Sequence, residues 1–298
     1  MTLLFDQGPS MTPEEFRLLR DLVNSFCGIS FDRDAKFVVE RRLRERLHAL
    51  GLDSYTAYYE RLRFHPDGET ELERAVDLLT TNETYFFREA YQLEAFRKEL
   101  LPELAARNAH KKRLTLWSAG CSTGEEVYTL AMILAASHRF DGWEVRVFGS
   151  DISRRVLHHA RRAVYREGSF RAMPPEHERF FLDTPDGRLV RPEIRAMCHF
   201  GHLNLLDHDR SAIVGSVDAI FCRNVLIYFD DESRGQVVRT FFDRLTPGGY
   251  LMLGHSESLL RASTDFELVH LEGDMVYRRP RLDDEPRAWP DRGEEAGP

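Results

Sequence analysis

Residues Leu114–Glu126 read LTLWSAGCSTGEE, a short apolar run followed by a turn with two glycines and an acidic pair. This order is typical of a buried strand that ends in a tight turn and leads into a helix. Gly120 and Gly124 let the backbone of the turn approach a ligand closely, as a nucleoside site requires. A dinucleotide-binding turn would carry a third glycine, and the carboxylates of Glu125 and Glu126 favour a cationic ligand over a phosphate.

Apolar runs alternate with helical patterns further along the chain, which predicts a parallel sheet wrapped by helices. The other strand candidates are Glu144–Phe148, Val217–Cys222 and Tyr250–Leu253. Asp151 follows the second strand, where a carboxylate can accept both hydroxyls of a ribose. Taken alone, Asp151 could equally start the next helix. Two later runs, Phe266–His270 and Met275–Tyr277, flank a turn and predict an antiparallel hairpin that finishes the sheet.

The first eighty residues predict a bundle of four short amphipathic helices. Thr12–Glu15 forms a capping box with proline at the first helical position, and Gly28 lies just beyond the end of that helix. A second apolar stripe ends at Gly51, Ser54 can cap a third helix, and Leu72–Leu79 carries the stripe of a fourth. Four such helices bury enough apolar surface only by packing together.

These patterns divide the chain into parts. We expect a helical bundle and linker at 1–88, an α/β domain at 89–280, and a disordered acidic tail at 281–298. A small antiparallel β-subdomain is expected as an insertion at about 168–204, because Arg188–Arg191 and Cys198–Phe200 are β-prone pieces near the turn pair Asp186-Gly187.

Composition excludes several classes of protein. The 298 residues are 42% hydrophobic and 30% charged, as in soluble globular chains, and the formal net charge of −8 disfavours nucleic acid as the main partner. No apolar run is long enough to span a membrane, and the start of the chain lacks a secretory signal, so we expect a cytoplasmic protein. The four cysteines lie far apart, without zinc-ligand spacing, which predicts reduced thiols and no metal site.

Several longer motifs accompany the glycine turn. They are Thr80–Glu89 (TTNETYFFRE), Ser150–Ile152 (SDI), Phe221–Phe229 (FCRNVLIYF) and Gly254–Glu257 (GHSE). In this order they resemble the chemotaxis-receptor glutamate O-methyltransferases, the CheR family, over about Thr12 to Tyr277. The resemblance implies a Rossmann-like class I methyltransferase domain behind an all-α bundle. It also implies S-adenosylmethionine as methyl donor, S-adenosylhomocysteine as product, and glutamate side chains of chemotaxis receptors as acceptors.

The resemblance also implies a role for individual residues. Those expected to bind the cofactor are Asn82, Thr84, Arg88, Glu126, Asp151, Asn204, Leu205, Arg223 and Asn224. Glu126 would hold the methionine amino group or neighbouring atoms, Asp151 the ribose, and Asn204 with Leu205 would flank the adenine. Arg88 and Tyr228 are the catalytic candidates at the reacting methyl. Whether Arg88 meets the carboxylate of the cofactor or that of the substrate stays open.

The expected partners are the cytoplasmic helices of membrane chemoreceptors, which are acidic before they are methylated. Arg41, Arg42, Arg44 and Arg46 form a locally basic, mostly outward face of the second helix, although such a face is often only solvated. In some relatives a receptor tail peptide adds to the edge of the inserted lobe, and the sequence does not decide whether it does so here. We expect a monomer.

Two other functions remain open at this point. The chain could be a non-catalytic adaptor that binds S-adenosylmethionine, or a methyltransferase that acts on another protein or on a small molecule. A glutamate acceptor with an ordinary pKa near 4.3 is already ionised at pH 7, so the expected reaction needs no catalytic histidine. A nicotinamide oxidoreductase is disfavoured because the third glycine is missing.

Overall fold

The computed structural model describes residues 9–259 and 265–281. The predicted disordered tail lies outside these residues except for Arg281. Within them, four helices form the N-terminal bundle: α1 (Pro13–Cys27), α2 (Lys36–Leu50), α3 (Tyr55–Phe64) and α4 (Gly68–Leu79). The predicted four-helix pattern is confirmed, and the apolar faces of the helices meet in a core of their own.

Local sequence sets the ends of the bundle helices. The Thr12 side chain accepts the backbone N–H of Glu15, and the Glu15 carboxylate accepts that of Thr12, so the capping box is confirmed. Gly28 and Gly51 end α1 and α2 in the left-handed region, with φ of 74° and 65°. Ser54 caps α3 through its side chain. These caps satisfy backbone groups that the helices leave unpaired.

The arginines of α2 do not all face outward. Arg42 donates to the carbonyl of Leu79 at 2.7 Å, and Arg46 forms a two-bond pair with the buried Glu71 carboxylate at 2.7 and 2.8 Å. The outward prediction is therefore wrong for both, because a helical pattern locates the apolar face but not the polar groups that neighbouring helices bring to its margin. Arg41 is exposed, in agreement with the prediction.

Ten strands lie in the described part of the chain. They are β1 (Arg113–Ala119), β2 (Glu144–Asp151), β3 (Val164–Tyr165), β4 (Phe181–Thr184), β5 (Gly187–Val190), β6 (Cys198–His202), β7 (Val217–Cys222), β8 (Leu245–Leu253), β9 (Glu267–Leu271) and β10 (Asp274–Arg278). Seven form one sheet in the order β6-β2-β1-β7-β8-β10-β9. The strands from β6 to β8 run parallel, and β10 is antiparallel to β8 and β9. The predicted parallel sheet and terminal hairpin are confirmed.

Helices cover both faces of the large sheet. They are α5 (Ala90–Ala95), α6 (Leu101–Asn108), α7 (Glu125–Ser137), α8 (Arg154–Arg162), α9 (Pro192–Arg195) and α10 (Asp231–Arg244). A π-helical turn at Phe96–Leu100 joins α5 to α6. One core lies between the sheet and α5–α7, and another between the sheet and α10, where Trp117 meets Phe241 edge to face. No helix within the described ranges has the length and apolar character needed to cross a membrane.

A three-stranded antiparallel sheet, with order β3-β5-β4, forms the small lobe. Its existence was predicted, but its expected end near residue 204 is wrong. Cys198–Phe200 lies in β6, which pairs in parallel with β2 at the edge of the large sheet. An edge strand is only partly buried, so its sequence has the mixed polar and apolar pattern of a small-lobe strand.

The bundle lies against the carboxyl ends of the parallel strands. Ser30 donates its backbone N–H to the carbonyl of Tyr228 at 2.8 Å. The Asn204 side chain donates to the carbonyl of Phe26 at 2.6 Å. At Gly28, a side-chain carbon would lie 2.7 Å from the ring of Phe229, so this position has room only for glycine. The end of α1 is therefore fixed beside the strand tips.

Candidate active site

A cavity of about 470 Å³ lies at the carboxyl ends of β1, β2 and β7, where parallel α/β sheets bind ligands. Its lining comes from the strand-end turns, from the linker that follows α4, and from the bundle segment between α1 and α2. Its volume falls within the range of small-molecule sites, roughly 300–1,000 Å³. All ten residues predicted for cofactor binding and catalysis line it: Asn82, Thr84, Arg88, Glu126, Asp151, Asn204, Leu205, Arg223, Asn224 and Tyr228. Their contacts with a ligand stay predictions.

Asp151 ends β2 and is only 8% exposed. One carboxylate oxygen accepts the backbone N–H of Ser122 at 2.8 Å, and the other accepts that of Ser153 at 2.9 Å. Burial raises the pKa of Asp151 to about 6. Ser153, rather than Asp151, caps α8 through its side chain, so the alternative that Asp151 only starts a helix is not supported. Each oxygen keeps a lone pair for a further donor, such as a ribose hydroxyl.

Arg223 follows β7 and forms the centre of a buried charge cluster. Its side chain is 3% exposed and donates to Glu126 at 3.1 Å, to Glu89 at 3.1 Å and to the side-chain oxygen of Gln92 at 2.9 Å. Burial raises the pKa of Glu126, while the nearby Arg223 charge lowers it. Because one guanidinium lies between two carboxylates, the cluster favours a positively charged ligand beside Glu126.

The glycine turn is explained by packing as well as by ligand access. Gly120 has φ of +78°, and a side-chain carbon there would lie 2.5 Å from Val225. Gly124, the residue just before α7, has φ of +94°, and a side-chain carbon there would lie 2.8 Å from Ala160. Glu125 and Glu126 open α7 as predicted, which puts Glu126 within 2.7 Å of the Ser118 hydroxyl.

The linker that follows α4 covers the cavity. Its Asn82 carbonyl accepts the Ser122 hydroxyl at 3.2 Å, and Arg88 donates to the carbonyl of Glu83 at 2.7 Å. Arg171 of the small-lobe segment contacts the same stretch, with a 2.7 Å ion pair to Glu83. The linker is thus tied to the sheet on one side and to the small lobe on the other.

Asn224 and Tyr228 lie on the loop after β7. Asn224 is in the left-handed region with φ of +59°, and its side-chain nitrogen donates to Glu89 at 3.3 Å. Its buried side-chain oxygen has no hydrogen-bond partner within the residues that the structure describes. Tyr228 ends a short 3₁₀ turn and is 37% exposed. An unpaired buried acceptor is costly, so the Asn224 oxygen is available to a ligand donor.

Several residues of the site were not assigned from the sequence. Glu89 and Glu257 fall inside quoted motifs, which was a signal, but no role was attached to them. Gln92, which supports Arg223, lies in an ordinary helical stretch and gave no signal. The bundle segment Ile29–Asp32 lines the cavity although it is distant in sequence from the motifs. Only the packing of the bundle on the sheet brings it there.

Comparison with known proteins agrees with this geometry. A family model described as "CheR methyltransferase, SAM binding domain" matches residues 82–274, and one described as "CheR methyltransferase, all-alpha domain" matches residues 14–80. The chain belongs to the CheR methyltransferase family. The predicted family, fold class and enzyme class are confirmed, and so is the cofactor, S-adenosylmethionine.

Individual relatives cover nearly the whole of this CheR methyltransferase. Chemotaxis protein methyltransferase 2 of Pseudomonas aeruginosa is 39% identical over 274 residues, which are 89% of this chain and 93% of the relative. Chemotaxis protein methyltransferase 2 of Vibrio cholerae is 34% identical over 273 residues, or 91% and 94%. An RNA methyltransferase from Salinibacter ruber, solved with S-adenosylhomocysteine, is 18% identical with a TM-score of 0.32 and covers 58% of this chain and 84% of its own. The family assignment rests on the sequence matches.

Proposed function

We propose that this CheR methyltransferase forms methyl esters on glutamate side chains in the cytoplasmic helices of chemotaxis receptors. The observation that carries the proposal is that one cavity is lined both by acidic groups that suit a cationic donor and by Arg88 and Tyr228, which suit a carboxylate acceptor. S-adenosylmethionine, when bound, supplies a methyl group on a positively charged sulfur. The residues of the chain have to hold that donor and bring a carboxylate to it.

The charge of the cavity fits a cationic donor. Three guanidinium groups line it, against five carboxylates: Asp32, Asp34, Glu83, Glu126 and Asp151. The paired oxygens of Asp151 fit the two hydroxyls of a ribose. The unpartnered Asn224 oxygen and Glu126 fit the ammonium of a methionine group at the Arg223 end. Asn204 and Leu205 would flank the adenine, with Asn204 held by its bond to Phe26.

The acceptor needs positioning rather than activation. A glutamate side chain is ionised at pH 7, so its oxygen can attack a sulfonium methyl without a general base. Consistent with this, no histidine lies in the described lining of the cavity. In-line placement of two bound groups can supply roughly 7–11 kcal/mol of the barrier. The catalytic task of the chain is to orient the carboxylate and to remove part of its water.

Arg88 and Tyr228 are the groups that would do this. Arg88 is half-buried and anchored to the carbonyl of Glu83, and its other N–H groups have no hydrogen-bond partner among the described residues, so they can bind the incoming carboxylate. Tyr228 is exposed enough to donate its hydroxyl to the same carboxylate. We assign Arg88 to the substrate rather than to the cofactor because the Arg223 cluster and Asn224 already occupy the cofactor end.

The receptor would dock through the bundle. Arg41 on α2 is exposed and suits acidic receptor helices, whereas Arg42 and Arg46 serve internal contacts. A tail peptide could add to β4, which is an edge strand of the small lobe and can offer backbone groups for pairing.

Labelled methyl transfer tests this function. The protein is incubated with S-adenosylmethionine labelled in the methyl group and with receptor membranes, and mild alkali then releases methanol from any carboxyl ester. We expect alkali-labile label in the receptor. Label that resists alkali would indicate N- or C-methylation, and binding without any transfer would indicate an adaptor; either result contradicts the proposal.

A further inference from the structure

Glu257 has an unusual set of partners in the turn after β8. One oxygen of its carboxylate accepts the backbone N–H groups of Asn224 and Gly254, at 2.8 and 2.7 Å. The other oxygen accepts those of Val225 and Ile227, at 2.9 and 3.2 Å. The two oxygens of a carboxylate offer about four acceptor sites in total, and here all four are used by the main chain. Glu257 therefore ties the turn after β8 to the loop after β7.

The loop that Glu257 holds carries two residues of the proposed site. Asn224 has φ of +59°, in the left-handed region, which residues other than glycine adopt rarely and keep where their surroundings impose it. Two of the four bonds go to the N–H groups of Asn224 and of the residue after it, and a third lies next to Tyr228. The carboxylate thus fixes both the strained residue and the short 3₁₀ turn that ends in Tyr228.

Gly254 makes room for this arrangement. A side-chain carbon at Gly254 would lie 2.7 Å from the Asn224 nitrogen and 2.8 Å from the nearer Glu257 oxygen. Both distances are shorter than real contacts of such a carbon allow, so any side chain would push the carboxylate and the loop apart. Gly254 and Glu257 of the GHSE motif therefore both hold the loop after β7 in place.

We propose that Glu257 is a positioning residue for methyl transfer, acting through Asn224 and Tyr228. It is not one of the described residues that line the cavity, so it touches neither donor nor acceptor directly. The inference rests on the proposed function, because it assigns the reacting end of the cavity to this loop. Loss of the carboxylate would let the loop move, and a displacement of about 1 Å at a reacting group can lower the rate on the order of 10²-fold.

The primary test compares Glu257→Gln with Ser256→Ala, an exposed neighbour that serves as control. The amide keeps the size of the side chain but places an NH₂ group against two N–H donors. We expect kcat for receptor methylation to fall on the order of 10²-fold in Glu257→Gln, with a melting temperature only a few degrees lower and with Ser256→Ala unchanged. Gly254→Ala, which keeps the glutamate, should lower kcat in the same direction.

A double-mutant cycle separates positioning from general loss of structure. If Glu257 acts through Tyr228, Tyr228→Phe should cost much less in the Glu257→Gln background than in the wild type. Independent, multiplying effects, or a wild-type kcat in Glu257→Gln, would overturn the inference. The proposed function fails by a different result: a wild-type protein that forms no alkali-labile ester. An active wild type with an equally active Glu257→Gln variant would overturn only the inference about Glu257.

Discussion

The cavity has two halves that are built differently. The half at the strand tips holds Asp151 and Arg223, which are almost fully buried and bonded to the main chain or to paired carboxylates. The covering half is the linker at 79–88 with the bundle segment at 27–42, where Arg88 is half-buried and bonded to a neighbouring carbonyl. A pre-organised, buried set of groups suits tight binding of one small molecule, whereas a half-exposed set suits a large substrate that arrives from outside. We therefore assign the main donor contacts to the sheet half, and the contact of Arg88 with the incoming acceptor to the cover.

The largest effect should come from Asp151→Asn in the sheet half. Hydrogen bonds to a charged group contribute about 1.5–3 kcal/mol each, so loss of the carboxylate should weaken S-adenosylhomocysteine binding on the order of 10²–10³-fold. Calorimetric titration measures this. Asp218→Asn is a matched control, because Asp218 is also buried but bonds Arg107 and the N–H of Thr115 away from the cavity. A loss of less than about threefold in Asp151→Asn would remove the distinction between the halves.

Next in size, Arg88→Ala and Tyr228→Phe should lower kcat/KM for the receptor roughly 10–100-fold, since each removes a hydrogen bond to the acceptor carboxylate. Binding of S-adenosylhomocysteine should stay within about threefold of the wild type. Steady-state methylation and calorimetry on the same preparations provide the two numbers. If Arg88→Ala weakened S-adenosylhomocysteine binding as much as it lowered kcat/KM, Arg88 would bind the carboxylate of the cofactor instead. If Arg88→Ala and Tyr228→Phe both kept wild-type turnover, neither residue would be catalytic.

A pH dependence should distinguish the sheet half from the cover. Burial raises the pKa of Asp151 from its ordinary 3.8 to about 6, so the ionised acceptor is lost as pH falls through 6. We expect affinity for S-adenosylhomocysteine to drop about tenfold between pH 7 and pH 5. The stability of the free protein should change in the opposite direction. Because the pKa of Asp151 is higher in the folded chain than in the unfolded chain, the free energy of unfolding should fall as pH rises from about 4 to 6. An affinity that does not change with pH in the wild type would contradict this prediction. So would an Asp151→Asn variant whose affinity changes with pH as much as that of the wild type.

The smallest effect is expected at the border of the cover. Arg42 donates to the carbonyls of Leu79 and Thr80 at 2.7 and 3.2 Å, at the start of the linker. Arg42→Ala should loosen the linker and weaken S-adenosylhomocysteine binding about three- to tenfold. Its neighbour Arg41 is the control: Arg41→Ala should leave that affinity alone and raise KM for the receptor. If both variants change S-adenosylhomocysteine affinity and receptor KM to the same extent, Arg42 and Arg41 do not have separate roles in the linker contact and in receptor binding.

The sheet half was largely predictable because its residues follow strands directly. Gly120, Glu126, Asp151 and Arg223 each lie within a few positions of an apolar run, and parallel strands bring their carboxyl ends to one edge. Local pattern therefore gave both the chemistry and the place. Two bonds that support the loop after β7, from Arg223 to Gln92 and from Asn224 to Glu257, join positions more than thirty residues apart and have no local signature.

The cover was predictable only in part. The linker motif identified Asn82, Thr84 and Arg88, but nothing in Ile29–Asp32 distinguishes a segment that lines a cavity from an ordinary connection between helices. The inward course of Arg42 and Arg46 depends on groups that α4 brings alongside α2, across a separation of 25 residues or more. Such pairings follow from tertiary packing, which amphipathic patterns do not specify.

The most direct test of donor binding across the strand tips is a crystal structure of the protein with S-adenosylhomocysteine. We expect the ribose hydroxyls within hydrogen-bond distance of the Asp151 carboxylate and the sulfur directed toward Arg88 and Tyr228. A ligand bound elsewhere, or one whose ribose avoids Asp151 while its sulfur faces away from Tyr228, would contradict the proposed site.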